Sequence, residues 1–425
     1  MLYEMDVAKS LLLSPGWRPL LRQSGLHRAQ ACEGAIAAGH EPTQVKIGIL
    51  MPLGEQRGGA ELMFLQLMQH GRGGSIEWSA IFLEDGPLRH SVEALGVTTA
   101  LVRAGRLRQP FRFCRAVLGI ARLIKRMELE AIISWMPKAH LYGSFAAMLA
   151  PVPAVWFQHG IASSPLDRCA TLLPCTGVLA SSQTIARAQE RVFPHRRVRT
   201  AYPGVNLADF DRAALGSKEE VCSRLGLSTA GPLIGMVGRL QRWKGMHVLL
   251  SALPKVLKSH PNLHCLIVGG THDGEPDYKA SLDALALSLG IEKRIRFAGL
   301  QQNVADWMQA MDVVVHASDR EPFGIVVIEA MALGKPVIAG DTGGPTEVIK
   351  HAVNGLLSPF GDSEKLAENI LRVLDQPDFA QSLGAAAWNS AREFSVQRYA
   401  ENLTAAVQSL LNAEPAAREN QPTVT

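Results

Sequence analysis

The sequence predicts an α/β protein built from two doubly wound domains, each a parallel sheet covered by helices. Three observations support this fold class. The chain has 425 residues, which is long for one hydrophobic core, so two domains of similar size are expected. From Val45 onward, short apolar runs alternate with helix-length segments, as in parallel sheets. A second series of the same kind starts at Leu233.

The apolar runs of the two series are the predicted strands. Those of the first series are VKIGILMP, EWSAIFLED, TTALVR, AIISWM, AVWFQHG and GVLASS. Those of the second series are LIGMVGRL, CLIVGG, IRFAG, VVVHAS, PVIAGD and GLLSP. Helix-length segments separate most of these runs, so each series predicts strands joined by helical crossovers.

The remaining segments set the predicted domain boundaries. The stretch between the two series is rich in turn formers and polar residues, which is typical of an interdomain connection. After the second series, apolar residues recur at helical spacing and predict an amphipathic helix. The predicted parts are an N-terminal extension of uncertain order (1–44), the first domain (45–205) and the connection (206–230). They are followed by the second domain (231–394), the amphipathic helix (395–411) and a disordered tail (412–425).

Composition argues against several classes of protein. A formal net charge of only +4 gives no general reason to expect a nucleic-acid partner. No apolar run approaches the length of about 20 residues that a membrane span needs. Residues 14–16 interrupt the apolar segment near the N-terminus, which argues against a signal peptide. The six cysteines lack CxxC or metal-ligand spacing, which fits a reduced cytoplasmic chain without a metal site.

The loop after the first strand of the second domain carries two basic residues. Open parallel sheets bind ligands at the carboxyl ends of their strands, where loops lead into helices. GRLQRWKG follows LIGMV directly and brings Arg239 and Lys244 to this edge. A planar guanidinium and a mobile ammonium suit a diphosphate. Taken alone, the motif fits two solvated charges before a helix equally well.

EPFGIVVIEA places two carboxylates, Glu321 and Glu329, around a glycine and an apolar helix, with seven residues between them. Gly324 starts the helix, so the free N–H groups of Gly324, Ile325 and Val326 face the sheet edge and suit a phosphate. Helical side chains lean towards the N-terminus, so Glu329 can return to the same ligand and accept from ribose hydroxyls. Glu321 then takes sugar hydroxyls or positions the turn. Each glutamate alone would pass as a surface or helix-terminus charge.

The first domain carries weaker signals of the same kind. RGGAEL follows VKIGILMP, so Gly58 and Gly59 are expected at a helix start, where the backbone can approach donor phosphates closely. A plain turn is the alternative for these glycines, and Glu61 serves the helix dipole. FQHG places His159 at the carboxyl end of a strand, and the spacing alone does not separate a binding role from a structural one.

Residues 103–126 form a basic amphipathic stretch. Its cations alternate with apolar side chains, a pattern that suits an anionic membrane surface. The solvated face of an ordinary sheet-covering helix is an equal alternative, and nucleic acid is less favoured. The cations are Arg103, Arg106, Arg108, Arg112, Arg115, Arg122, Lys125 and Arg126.

Together these motifs resemble the retaining glycosyltransferases of family 4, which have the two-domain GT-B fold. The resemblance is carried by GRLQRWKG, LIVGG, FAGLQQNV, EPFGIVVIEAMALGKPVIAGDTGGPTEVI and NGLLSPFGD. It covers most of the chain from Val45 to about Leu411 and is strongest from Gly235 to Asp362. It implies two Rossmann-like domains that face a central cleft, with the C-terminal helix crossing back to the first domain.

The resemblance also implies roles for the candidate residues. Glu321 would contact the donor sugar or its phosphates, Glu329 the ribose, and Arg239 and Lys244 the diphosphate. His159 would contact the donor sugar. Catalysis would then need no metal, cofactor or covalent intermediate, because the basic loop and the helix N-terminus can stabilise the leaving diphosphate electrostatically.

The sequence therefore predicts a cytoplasmic retaining glycosyltransferase that moves a sugar from a nucleotide diphosphate sugar to a hydroxyl of a glycan or glycolipid. Its expected setting is cell-surface polysaccharide or lipopolysaccharide-type biosynthesis, with peripheral contact at the inner face of the membrane. A nucleotide-sugar epimerase of the same fold and a noncatalytic nucleotide-sugar-binding protein remain alternatives. A nicotinamide dehydrogenase is disfavoured because neither leading strand is followed by G-x-G-x-x-G.

Overall fold

The structure is a computed structural model that describes residues 44–56, 58–105, 108–161 and 165–412. The predicted disordered tail and N-terminal extension therefore lie outside the described residues, apart from one residue of each. Both predicted parallel sheets are present, so the α/β fold class is confirmed.

In the described part of the chain, the first sheet has seven parallel strands in the order β3-β2-β1-β4-β5-β6-β7. Its central strands are buried on both faces, which explains their nearly continuous apolar sequences. The final strand is short and was not predicted. The strands are β1 (Val45–Met51), β2 (Ile76–Phe82), β3 (Thr98–Leu101), β4 (Ala131–Trp135), β5 (Ala154–Gln158), β6 (Gly177–Ala180) and β7 (Val198–Thr200).

The helices of the first domain lie between these strands. Several begin with proline, whose fixed φ and missing N–H suit the first turn of a helix. The helices are α1 (Gly59–His70), α2 (Pro87–Ala94), α3 (Pro110–Arg126), α4 (Pro137–Leu149), α5 (Pro165–Leu172) and α6 (Gln183–Val192). Ser182 caps α6, since its hydroxyl accepts a hydrogen bond from the Ile185 N–H at 3.2 Å.

The second sheet has six parallel strands among the described residues, in the order β10-β9-β8-β11-β12-β13. They are β8 (Leu233–Val237), β9 (His264–Val268), β10 (Ile295–Gly299), β11 (Val313–His316), β12 (Val337–Gly340) and β13 (Leu356–Ser358). The strand order reverses between β8 and β11, and ligands of doubly wound sheets bind at such a switch point. The loops after these two strands carry the basic pair and the first glutamate.

The remaining helices cover the second sheet, and the last one leaves it. They are α7 (Arg212–Leu215), α8 (Lys218–Leu225), α9 (Met246–Ser259), α10 (Tyr278–Ser288), α11 (Val304–Ala310), α12 (Ile325–Ala332), α13 (Pro345–Val348), α14 (Ser363–Asp375), α15 (Pro377–Ala391) and α16 (Val396–Asn412). Helices α7 and α8 lie in the predicted connection. Lys218 anchors α8 to the second domain, because its Nζ lies 2.7 Å from Asp312 Oδ2.

Helix α16 crosses back to the first domain, as predicted. Leu403, Val407 and Leu410 are buried in the same core as β1 and α1. The Tyr399 hydroxyl donates to the carbonyl of Met63 at 3.2 Å. Burying this apolar face against the first sheet makes the helix part of that domain's core.

The two chain segments that pass between the domains are bonded to each other. The Val205 N–H donates to the Phe394 carbonyl at 2.8 Å, and the Val396 N–H donates to the Val205 carbonyl at 3.1 Å. The two connecting segments are therefore paired through an isolated parallel β-bridge between Val205 and Ser395 rather than being independent linkers.

Candidate functional site

The loop that carries Glu321 is held by the turn after β12. The Gly344 N–H donates to the Glu321 carbonyl at 2.7 Å. A Cβ on Gly344 would lie 2.2 Å from the Cα of Phe323, so no larger residue fits at this position. This close backbone packing fixes the position of Glu321 at the carboxyl edge of the sheet.

Lys244 and Glu321 form a largely buried ion pair. Lys244 Nζ lies 2.6 Å from Glu321 Oε2, and the two side chains are 15% and 9% exposed. Burial alone would raise the pKa of Glu321, but the charge of Lys244 and the hydrogen bond from His316 outweigh burial and hold this pKa well below its usual range. Glu321 is therefore ionised at neutral pH.

His316 completes this cluster, although the sequence motifs did not single it out. It ends β11 and is only 2% exposed. Its Nε2 lies 3.2 Å from Glu321 Oε2 and 3.3 Å from Ser318 Oγ. A polar residue at the carboxyl end of the apolar strand VVVH was the available signal. Lys244 and His316 thus both contact Oε2 of the predicted site residue Glu321.

The N-terminus of α12 lies beside this cluster, with Gly324 as its cap. Gly324 has φ of 90°, in the left-handed region that favours glycine, and its position lets the chain turn from the Glu321 loop into the helix. Ile325 and Val326 follow as the first helical residues, whose N–H groups have no intrahelical acceptor. These donors can bind a phosphate at the helix start.

Glu329 lies one turn further along α12 and is buried. Burial raises the pKa of Glu329 to about 7. Within the described residues, no hydrogen bond or ion pair to its carboxylate is present. A buried carboxyl group without a protein partner costs stability, and it can form hydrogen bonds to the hydroxyls of a ligand.

The first domain meets this edge at the start of α1. A Cβ on Gly59 would lie 2.9 Å from Ile325 Cδ1, so this glycine allows the two helix starts to approach. A Cβ on Gly58 would lie 3.7 Å from Arg239 Nη2 and 3.6 Å from Glu61 Oε2. Arg239 is exposed and reaches from the second domain to this helix start. The predicted glycines and the predicted arginine therefore face the same cleft.

His159 follows β5 on the first-domain side of the cleft. Its ring lies 4.1 Å from the Phe157 ring and 5.0 Å from the Trp135 ring, measured between centroids. Both ring nitrogens are buried without a hydrogen-bond partner in the described part of the chain, and burial lowers the pKa of His159 to about 3. The structure links His159 to the α1 start through Trp135, whose Nε1 donates to the Ala60 carbonyl at 2.9 Å. It does not join His159 to the Lys244–Glu321 pair.

A second contact across the cleft involves Glu347 of α13, which the sequence motifs did not assign. Its carboxylate accepts from the Gln183 N–H at 2.8 Å, the Thr184 N–H at 2.7 Å and Thr184 Oγ1 at 2.6 Å. These donors form the first turn of α6, where a negative charge is stabilising. The carboxylate of the second domain thus caps a helix of the first domain.

Comparison with known proteins identifies the second domain. The family described as Glycosyl transferases group 1 matches residues 217–390. The chain carries a group 1 glycosyltransferase domain. The matched segment contains Arg239, Lys244, Glu321 and Glu329, whereas the candidate residues of the first domain lie outside it.

Curated relatives of this glycosyltransferase domain cover part of the chain. A D-inositol 3-phosphate glycosyltransferase of Saccharomonospora viridis is 31% identical over 276 residues, which are 59% of this chain and 63% of that protein. The protein of the same name from Corynebacterium urealyticum is 30% identical over 238 residues, which are 55% and 56% of the two chains. The aligned region thus spans less than two thirds of either relative.

Solved structures match both domains. Anabaena Alr3699/HepE in complex with UDP and glucose is 26% identical with a TM-score of 0.75, over 86% of this chain and 100% of that one. A glycosyltransferase from Rickettsia africae has a TM-score of 0.77 at 22% identity, over 87% and 100% of the two chains. These matches and the two parallel sheets confirm the predicted GT-B fold.

Proposed function

We propose that this protein is a retaining glycosyltransferase that moves a sugar from a nucleotide diphosphate sugar to a hydroxyl of a glycan or glycolipid. The observation that carries the proposal is the grouping at one sheet edge of a buried lysine–glutamate pair, an exposed arginine and an open helix N-terminus. Cations and free N–H groups bind and stabilise phosphate oxygens.

In the proposed complex, the diphosphate lies between Arg239, Lys244 and the start of α12. The ribose hydroxyls then donate to Glu329, whose buried carboxyl group has no protein partner among the described residues. Glu321 accepts from hydroxyls of the donor sugar. Glu321 lies in the loop before α12 and Glu329 lies in α12, so one bound donor can contact both carboxylates.

The proposed reaction breaks the bond between the sugar anomeric carbon and the phosphate oxygen, and it forms a bond to the acceptor oxygen on the same face. The acceptor proton goes to a phosphate oxygen of the leaving nucleoside diphosphate. Arg239 and Lys244 stabilise the negative charge that develops on this leaving group. We propose that transfer needs neither a metal nor another cofactor, so it should continue in the presence of EDTA.

We place the acceptor side of this reaction at the inner face of a membrane, with the protein otherwise in the cytoplasm. Helix α3 buries its apolar stripe in the first domain and exposes Phe111, which is 92% accessible. Its basic side chains are exposed on the same helix, a combination that suits an anionic bilayer surface. No helix in the described ranges is both long and apolar enough to cross a membrane. A glycolipid or growing surface polysaccharide is the acceptor class that fits this placement.

The proposed function is tested first by donor binding and then by transfer. UDP-, GDP- and ADP-sugars are screened for protection against thermal unfolding, starting with UDP-glucose, which is bound in a structure of Alr3699/HepE. The protecting donor is then incubated with candidate acceptors, and proton NMR reads the anomeric configuration of the product. Retention of configuration is expected. Absence of protection by every donor, or an inverted product, would contradict the proposal.

A further inference from the structure

His316 lies against the carboxylate of Glu321 from inside the second domain. The side chain is almost fully buried at the end of β11. Its Nε2 contacts Glu321 Oε2 at 3.2 Å, and Lys244 Nζ contacts the same oxygen at 2.6 Å. One group from the end of β11 and one from the loop after β8 therefore hold Oε2 of Glu321. Among the described residues, Oε1 is the oxygen left to accept from a ligand hydroxyl.

The surroundings of the ring decide which nitrogen carries the proton. Nδ1 of His316 is buried and has no hydrogen-bond partner among the described residues. A proton on Nδ1 would leave a buried donor unsatisfied, and it would turn the lone pair of Nε2 towards a carboxylate. A proton on Nε2 instead donates to Glu321. The hydrogen-bond geometry thus favours a proton on Nε2 of His316.

We propose that His316 is a positioning residue for the donor site, an inference that rests on the proposed function. Its Nε2–H fixes the Glu321 carboxylate and shares the charge of Oε2 with Lys244. Without this donor, Lys244 would be the sole partner that the structure shows for Oε2, and its ammonium would be held more tightly to Glu321. Sharing the oxygen leaves Lys244 able to move towards donor phosphates during transfer.

Kinetics of two His316 variants test this role. His316→Leu removes the donor, whereas His316→Gln keeps an N–H group near the position of Nε2. We expect His316→Leu to lower kcat by about tenfold or more, as for loss of a hydrogen bond to a charged group. His316→Gln should recover most of the lost kcat. The control is His264→Gln, because His264 starts β9 at the amino ends of the strands, opposite the site. Its Nδ1 is also buried without a hydrogen-bond partner in the described part of the chain.

The outcomes separate this inference from the proposed function. If the unchanged protein transfers no sugar, the proposed function fails. If it transfers sugar and His316→Leu keeps the same kcat, or His316→Gln is as slow as His316→Leu, the positioning role is wrong.

A spectroscopic measurement without substrate keeps the inference testable if a variant does not fold. Nitrogen-15 NMR of the histidine-labelled protein reports which ring nitrogen is protonated, and His316→Gln assigns the signals. We expect protonation of Nε2 and a change in these signals in Glu321→Gln, which should also fold because it keeps the side-chain shape. Protonation of Nδ1 would overturn the inference.

Discussion

Replacing Glu329 with glutamine should change how the stability of the protein depends on pH. The side chain is buried, and its pKa is about 7 in the folded protein against an ordinary value of 4.5. Well below pH 4.5 the carboxyl group is protonated in both the folded and the unfolded protein, so it does not change the free energy of unfolding with pH. As the pH rises towards 7, the unfolded chain loses its proton first, so the free energy of unfolding falls.

The size of this effect follows from the two pKa values. Once Glu329 is ionised in both states, the difference corresponds to about 3 kcal/mol of destabilisation. Between pH 5 and pH 8, the unchanged protein should therefore lose about 2–3 kcal/mol more than Glu329→Gln. Comparing each protein with itself at two pH values cancels the constant cost of burying the amide.

Urea unfolding at pH 5 and pH 8 measures this difference, with Glu292→Gln as a control for the loss of one exposed negative charge. Calorimetric titration with the protecting nucleoside diphosphate adds a functional readout. Binding to the unchanged protein should strengthen as the pH rises through 7, because ribose hydroxyls donate to the ionised carboxylate. If Glu329→Gln keeps the same pH dependence of stability and of binding, Glu329 neither titrates in this range nor holds the ribose.

Three further variants test separate parts of the protein. Lys244→Ala should lower kcat/KM by about tenfold or more in a transfer assay, since a charge-assisted hydrogen bond contributes about 1.5–3 kcal/mol; unchanged kinetics at subsaturating donor would remove Lys244 from the site. Glu347→Ala removes the cap that the second domain supplies to the start of α6. We expect it to lower the free energy of unfolding by about 1–2 kcal/mol in urea and to increase the radius of gyration in X-ray scattering. An unchanged radius of gyration would mean that the contact does not hold the domains together. Reversing Arg112, Arg115 and Arg122 to glutamate should release the protein from anionic vesicles, as each near-surface cation contributes about 1 kcal/mol; failure of the unchanged protein to bind such vesicles at low salt would refute the membrane contact.

The fold could be predicted from the sequence because buried parallel strands leave continuous apolar runs, and helical crossovers separate these runs at regular distances. The short strand β7 was missed because RRVRT is basic and only half-buried, so it lacks the apolar signal. The placement of Lys244 and Glu321 at one edge followed from the rule for carboxyl ends of strands.

The finer contacts of the site depend on distances that no local pattern encodes. Lys244 and Glu321 are 77 positions apart, and the sequence indicated two neighbouring roles rather than an ion pair. Glu347 and Gln183 are 164 positions apart and belong to different domains. Such a contact exists only after both sheets have formed and the two domains have packed together, so neither residue shows it in its own segment.

The return of helix α16 to the first domain has a consequence for synthesis of the chain on the ribosome. The second domain is inserted into the first, because Leu403, Val407 and Leu410 complete a core whose first strand was made more than 300 residues earlier. The inserted domain can form its whole sheet while the first domain still lacks helix α16, which completes its hydrophobic core. The apolar face of the first sheet that α16 covers therefore stays open until the last helix leaves the exit tunnel, and this is the interval in which a chaperone can bind the nascent protein.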